Sequence, residues 1–157
     1  MRIGRLLVLT MTAATLQAQV APAKAVASSQ FRDLAWIIGR WHGSGRFVPA
    51  FYEQYRFRDD STIAMTAYTD STFKSETADS SLIELRGGQV RSRTPRSTND
   101  VIEFAPGSIR LRRTGTSDGG FRFSRVSVDE WAATIYPRGT STDTTVYRMR
   151  RIPEPRR

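Results

Sequence analysis

Hydrophobic and polar side chains alternate with a period of two along most of the chain beyond residue 40. Between residues 50 and 58, Phe51, Glu53, Tyr55 and Phe57 share one side, and the residues between them are mostly polar. Successive side chains of a β-strand point to opposite faces, so this pattern predicts strands with one buried face. The later segments with the same alternation are 108–113, 120–127 and 130–137.

Ten segments of this kind are predicted to be β-strands. In chain order they are 40–47, 50–58, 62–69, 81–86, 89–94, 100–105, 108–113, 120–127, 130–137 and 144–152. Short turn sequences such as Gly87-Gly88 and Pro106-Gly107 separate them, and turns this short join antiparallel neighbours. The predicted fold class is therefore all-β, a single antiparallel up-and-down meander barrel of about 8–10 strands.

Two kinds of segment break the strand pattern. The polar segments 70–80 and 138–143 are predicted to be long loops at the barrel ends. Segment 31–38 is the one helix candidate, because Phe31, Leu34 and Ile38 fall on one face at helical spacing and Gly39 stops the helix. We expect this short helix to plug one end of the barrel.

The N-terminal residues 1–25 have the order of features of a secretory signal peptide. A basic start containing Arg2 and Arg5 precedes an uncharged apolar stretch, and small residues follow, with cleavage expected after Ala18 or Ala25. The protein is therefore predicted to be periplasmic or secreted. Residues 26–30 are expected to be a disordered remnant, 31–153 the barrel domain and 154–157 a polar tail.

Composition narrows the function classes. The 157 residues suffice for one domain, and the absence of cysteine excludes disulfides, thiolate metal sites and a lipid-modified cysteine anchor. The net charge of +9 falls to +6 on removal of the predicted leader, which carries three basic residues and no acid. Arginine supplies nearly all of the remaining positive charge, since Lys74 is the one lysine left.

The unit Gly39-Arg40-Trp41, which follows the short helix and opens the first strand, resembles the lipocalins and their wider barrel relatives. The layout is also similar to small secreted bacterial lipocalin-like domains of unknown function. The resemblance implies that Gly39 and Trp41 belong to the structural signature and that Trp41 closes the barrel floor. It further implies that an arginine of the last strand packs across the Trp41 ring. Arg151 is the expected residue, because it alternates with Tyr147 and Met149, which are predicted to face inward; Arg150 is the alternative.

The leading functional hypothesis is binding of a small, largely apolar or amphipathic molecule inside a monomeric barrel, without a cofactor. The predicted ligand-binding residues are Phe51, Glu53, Tyr55, Phe57, Met65, Phe121, Phe123, Trp131 and Tyr147. Glu53 is a carboxylate on an apolar face, and burial of an unpaired carboxylate is costly. It either orients a ligand or pairs with an inward arginine such as Arg125.

The alternative is a solid-cored barrel that acts on an anionic envelope surface through outward arginines. These are Arg91, Arg93, Arg110, Arg112 and Arg122, and the acids Asp100 and Glu103 lie near them in the sequence. Nucleic acid is not an expected partner, because that face lacks the aromatic residues on which bases stack.

An enzyme that uses the inward carboxylate is the least favoured hypothesis, and no catalytic or metal-binding residues are predicted. His42 is the single histidine, and it should point outward because it neighbours the inward Trp41. Ser44 shares its strand face, but no acid is placed to orient the pair.

Overall fold

The computed structural model describes residues 25–154. These residues form the short helix α1 (Ser28–Phe31), a 3-10 helix (Arg32–Ile37) and ten β-strands. The strands are β1 (Gly39–Gly45), β2 (Val48–Asp59), β3 (Thr62–Tyr68), β4 (Glu76–Arg86), β5 (Gln89–Thr94), β6 (Ser97–Ala105), β7 (Ser108–Arg113), β8 (Gly120–Arg125), β9 (Glu130–Tyr136) and β10 (Thr145–Ile152).

The ten strands close into one antiparallel barrel. Each strand pairs with its neighbours along the chain, and β10 pairs with β1 to close the cylinder. The predicted all-β up-and-down barrel with a short N-terminal helix is confirmed, and β5 and β7 have the predicted bounds. The β4–β5 turn shows why turn chemistry was informative, since Gly87 (φ 57°) and Gly88 (φ 77°) both adopt the left-handed conformation that such hairpins require.

Two segments predicted to lack regular structure are partly regular. β4 begins at Glu76, so the later part of the predicted loop 70–80 is strand; residues 76–80 are exposed and therefore lack apolar alternation. Residues 28–30, within the segment 26–30 that was expected to be disordered, lie in α1. The Val26 N–H donates to the Gly88 carbonyl at 2.8 Å, and composition cannot reveal this backbone contact.

The predicted signal peptide, 1–25, lies outside the described residues except for Ala25, and the tail 154–157 lies outside them beyond Glu154. Between residues 25 and 154, no helix has the length and apolar character needed to cross a membrane.

The two helical turns close one end of the barrel with Phe31, Leu34 and Ile37, which are at most 1% exposed. With α-helical spacing, the sequence predicted that Ile38 would lie on the buried face, but Ile37 is the residue that does. A 3-10 helix has three residues per turn, so side chains three apart lie above one another. Ile37 therefore takes the buried position, and Ile38 is half-buried.

The barrel has a closed end, where the helices pack, and an opposite end that we call the loop end. Alternate connections of an antiparallel meander lie at the same end. The turns after β2, β4, β6 and β8 belong to the closed end. The longer connections, 69–75, 114–119 and 137–144, lie at the loop end. This confirms the predicted loop at 138–143.

Candidate functional site

The closed end is sealed by Arg151 of β10, which crosses Trp41 of β1 as the resemblance implied. Cζ of Arg151 lies 4.3 Å from the centroid of the Trp41 ring, and Trp41 is 1% exposed. The Arg151 guanidinium also donates to the carbonyls of Ile38 (2.8 Å), Val128 (3.2 Å) and Trp36 (3.5 Å), and its Nε lies 3.4 Å from Oδ1 of Asp129. Arg151 thus ties the helices and the β8–β9 turn to the last strand.

Gly39 leaves space for this arginine. A Cβ atom at Gly39 would lie 2.3 Å from Nη1 of Arg151, and the residue has a φ of +128°, which disfavours any side chain. A side chain at this position would displace Arg151, so the contact between Arg151 and Trp41 requires a glycine here.

Trp131 of β9 lies between the closed end and the barrel interior. It is 1% exposed, and its ring packs edge-on or tilted against four other aromatic rings. The distances between ring centroids are 4.8 Å to Phe123, 5.9 Å to Tyr55, 5.9 Å to Trp41 and 6.1 Å to Trp36. Trp131 also lines the cavity above it, so it forms the cavity floor.

A cavity of about 380 Å³ occupies the interior between Trp131 and the loop end. Eight of the nine residues predicted to bind a ligand line it. They are Phe51, Glu53, Tyr55, Met65, Phe121, Phe123, Trp131 and Tyr147. Ile135 also lines the cavity near the loop end and is 36% exposed, so the cavity reaches solvent there.

Phe57 is the exception among the predicted ligand-binding residues. Its ring lies 6.3 Å from that of Phe31, and Cζ of Arg32 lies 4.9 Å from its centroid. Phe57 has the same phase along β2 as Phe51 and Tyr55, but it is nearer the closed end. Phe57 therefore packs against the helices and does not line the cavity.

The cavity has one aromatic wall and one polar wall. The aromatic wall comes from β2 and from β8 to β10, and contains most of the predicted residues. The polar wall comes from β4, β5 and β6, and none of its residues was predicted from the sequence to bind a ligand. Its residues are Ser81, Ser92, Thr94, Ser97 and Asn99. Ser92 and Thr94 alternate with the outward Arg91 and Arg93, and this alternation could have indicated that the two hydroxyl side chains face the interior. The cavity is thus amphipathic.

Two further glycines of β1 accommodate the rings of the aromatic wall. A Cβ atom at Gly43 would lie 2.2 Å from the Phe51 ring, and one at Gly45 would lie 2.8 Å from the Tyr147 ring. The two rings meet edge to face, with their centroids 5.8 Å apart. The Gly43-Ser44-Gly45 segment therefore serves packing of the cavity wall.

Glu53 is half-buried, lines the cavity and accepts a hydrogen bond from the Tyr55 hydroxyl at 2.9 Å to Oε2. Burial raises the pKa of Glu53 above its ordinary 4.5; the Tyr55 hydrogen bond opposes this, and the charge of Asp79 adds to it. Burial and the neighbouring Glu53 also raise the pKa of Tyr55 well above 10.0, so Tyr55 remains a donor.

The raised pKa predicts how stability depends on pH. The folded state holds the Glu53 proton more tightly than the unfolded chain, so this contribution to stability is present below about pH 4.5 and is lost as the pH rises through the folded-state pKa. We expect Glu53→Gln to raise the melting temperature relative to wild type at about pH 8 and to change it little at about pH 4. Thermal unfolding followed by circular dichroism tests this. Glu76→Gln, at an exposed position of β4, is the control, and an equal difference from wild type at both pH values would contradict the prediction.

The predicted alternative partner of Glu53 is not near it. Arg125 is exposed, and its Nε donates to the carbonyl of Ser127 at 3.3 Å. It is the last residue of β8 and lies at the closed end, where the strand leaves the barrel wall. Within residues 25–154, no basic nitrogen comes within 4.0 Å of the Glu53 carboxylate.

The outer arginines are mostly paired with carboxylates that lie one or two strands away in the barrel wall. The pairs are Arg91 with Asp100 (2.8 Å), Arg93 with Glu84 (3.3 Å), and Arg110 (3.2 Å) and Arg122 (2.5 Å) with Glu103. Arg112 donates to the carbonyl of Ser117 at 3.2 Å. Hydrogen bonding from Arg122 lowers the pKa of Glu103. This wall is therefore a mixed network of charges, with acids beside its arginines.

His42 lies on the outer face, as its phase predicted. Its ring stacks on Tyr52 with 5.4 Å between centroids, and Tyr52 in turn contacts Phe73 of the β3–β4 loop. Phe73 has a φ of 55° and is 8% exposed. It packs 5.0 Å from the ring of Tyr68, which holds the loop against the outside of the wall.

Within residues 25–154, no three histidine, aspartate or glutamate side chains come together to hold a metal ion.

Comparison with known proteins adds little to this geometry. No family model matches the chain, and no curated protein does. A redesigned β-barrel among the solved structures is similar over 78% of this chain and 96% of its own, with 10% identity and a TM-score of 0.39. A likeness this distant carries no argument, so the assignment of a closed ten-stranded barrel rests on the observed strand pairing.

Proposed function

We propose that this protein binds a small amphipathic molecule inside its barrel. The observation that carries the proposal is the cavity of about 380 Å³ with one aromatic and one polar wall. Specific ligand sites are typically concave, roughly 300–1,000 Å³ in volume and mostly apolar, with a few placed polar groups. Glu53 and Tyr55 supply such groups here. Burial of the ligand's apolar part provides the driving force.

The proposal includes a lipocalin-like identity and an exported location. The contact of Trp41 with Arg151 under a short helical plug supports the first, and the pattern of residues 1–25 supports the second. We propose a monomer without a cofactor. The alternative of a solid-cored barrel acting through its arginine-rich face is less favoured, because the interior contains a cavity and most of those arginines are paired with acids.

Filling the cavity with a larger side chain should weaken ligand binding, and two adjacent serines of β4 allow a matched test. Ser81 lines the cavity and Ser80 is exposed on the outside. We expect wild-type protein to bind N-phenyl-1-naphthylamine, a neutral apolar dye, with a saturable rise in fluorescence. Ser81→Phe should weaken this binding about tenfold or more, and Ser80→Phe should bind like wild type.

Circular dichroism melting of both variants shows whether each remains folded. Equal dye binding by folded Ser81→Phe and wild type would contradict an internal site. The absence of saturable binding by wild type would contradict the proposed function itself.

A further inference from the structure

The cavity carries one negative charge and no positive charge among its described lining residues. Glu53 is the single charged side chain of that lining, and the others are aromatic, aliphatic, hydroxyl or amide groups. This occurs in a chain of net charge +9 whose outer arginines are largely paired with acids. A carboxylate that is partly removed from water and has no cation beside it is unfavourable. A ligand that brings a cation would therefore relieve a cost that the described residues leave uncompensated.

The geometry of Glu53 leaves one oxygen for such a ligand. Tyr55 donates to Oε2, whereas Oε1 receives no hydrogen bond from any side chain or backbone group within residues 25–154. Tyr55 is 4% exposed, so its ring is fixed by packing and orients the carboxylate. An ammonium group donates up to three hydrogen bonds, and those to a carboxylate are stronger than bonds between neutral groups.

Aromatic rings next to Glu53 suit a cation as well. Phe51 lies two residues from Glu53 on the same face of β2, and its ring meets that of Tyr147 edge to face. Cations are attracted to the faces of aromatic rings within about 6 Å of the centroid. The apolar surface of the same rings would hold the carbon skeleton of the ligand.

We propose that the cavity selects a cationic amphiphile, an aromatic or alkyl amine, whose ammonium group pairs with Glu53 while its apolar part packs on the aromatic wall. This inference rests on the proposed function, because it names the class of ligand for the same cavity. Anions of the same shape are disfavoured, since Glu53 has no cation beside it and Asp79 of β4 adds negative potential.

Binding of the amine should weaken in acid. The titratable groups facing Glu53 are Tyr55 on its own strand, Asp79 on β4 and Tyr147 on β10. On the two strands beside β2, the residues opposite Glu53 are Trp41 of β1 and Ala67 of β3. Trp131 of β9 forms the cavity floor. None of these three residues is titratable. Protonation of Glu53 removes the charge that the ammonium recognises. Amine affinity therefore falls as the pH drops through the pKa of Glu53, whereas the affinity of a neutral ligand does not.

Displacement of N-phenyl-1-naphthylamine by three matched competitors tests the proposal. These are 4-phenylbutylamine, 4-phenyl-1-butanol and 4-phenylbutyrate. At about pH 8, we expect the amine to bind wild type roughly tenfold tighter than the alcohol, and the carboxylate to bind more weakly than either. In Glu53→Gln, the amine should bind no tighter than the alcohol; the two competitors are compared within the one variant, so the comparison does not depend on the affinity of the dye itself. Glu76→Gln should keep the preference.

A second measurement on wild type alone covers the case in which Glu53→Gln does not fold. Between about pH 8 and pH 4.5 the amine preference should decline and alcohol binding should stay constant. An amine and an alcohol that bind equally to wild type at about pH 8, a preference that survives in folded Glu53→Gln, or one that does not change with pH would each overturn the inference. Failure of the dye to bind wild type would instead overturn the proposed function.

Discussion

Trp131→Ala is expected to lower the free energy of unfolding by about 3–5 kcal/mol, the range for removing a fully buried aromatic side chain. Trp131 contacts the rings of Trp36 and Trp41 at the closed end and those of Tyr55 and Phe123 in the interior. Its removal would leave a void between the plug and the cavity, because Trp131 forms the cavity floor. Urea unfolding followed by far-ultraviolet circular dichroism measures the change.

The matched control is Phe47→Ala, which truncates an aromatic residue that is 84% exposed. Its effect should stay within about 0.5 kcal/mol. Trp131→Phe should cost less than Trp131→Ala, because it keeps a six-membered ring at this position and the indole N–H that is lost has no partner within the described residues. Similar losses for Trp131→Ala and Phe47→Ala would show that Trp131 is not the packing centre assigned here.

Arg151→Ala is expected to lower the free energy of unfolding by about 2–4 kcal/mol, because hydrogen bonds to a charged group contribute roughly 1.5–3 kcal/mol and a cation–π contact about 0.5–2 kcal/mol. The truncation would remove the cation from the Trp41 ring and the donor from the Ile38 carbonyl. Arg151→Lys should recover only part of the loss, since a single ammonium cannot replace the planar guanidinium fork. The same urea experiment measures both variants.

Arg150→Ala supplies the adjacent control. The Arg150 side chain is 69% exposed, and its Nε lies 4.0 Å from a carboxylate oxygen of Glu130. An exposed ion pair of this kind contributes little, so the loss should be below about 1 kcal/mol. Equal losses for Arg150→Ala and Arg151→Ala would contradict the assigned role of Arg151 as the seal of the closed end.

Strand positions were predictable because each depends on local alternation and on the turn that follows. The β4–β5 hairpin illustrates this, since Gly87 and Gly88 fix the turn and the flanking residues alternate between wall and solvent. The first residues of β4 were missed because they are exposed and carry no apolar pattern. Local signals also missed the buried Ile37, because a single helical turn does not distinguish 3-10 spacing from α-helical spacing.

The site was only partly predictable for the same reason. Alternation assigned Phe51, Glu53 and Tyr55 to one face, and the cavity contains all three. It could not show that Phe57, in the same phase, lies under the plug, because depth along a barrel axis depends on the tilt and register of the other strands. The polar wall was overlooked because serine and threonine are also common on outer surfaces.

The sequence alone therefore determined the class of fold, the order of the strands and the face on which most cavity residues lie, because these follow from alternation and turn chemistry. Only the tertiary structure decided that the barrel closes between β1 and β10, that the interior retains a cavity, and that Glu53 meets Tyr55 and no described arginine. These features arise from contacts between residues far apart in the chain, and their distances depend on barrel closure and strand register, which no local pattern encodes.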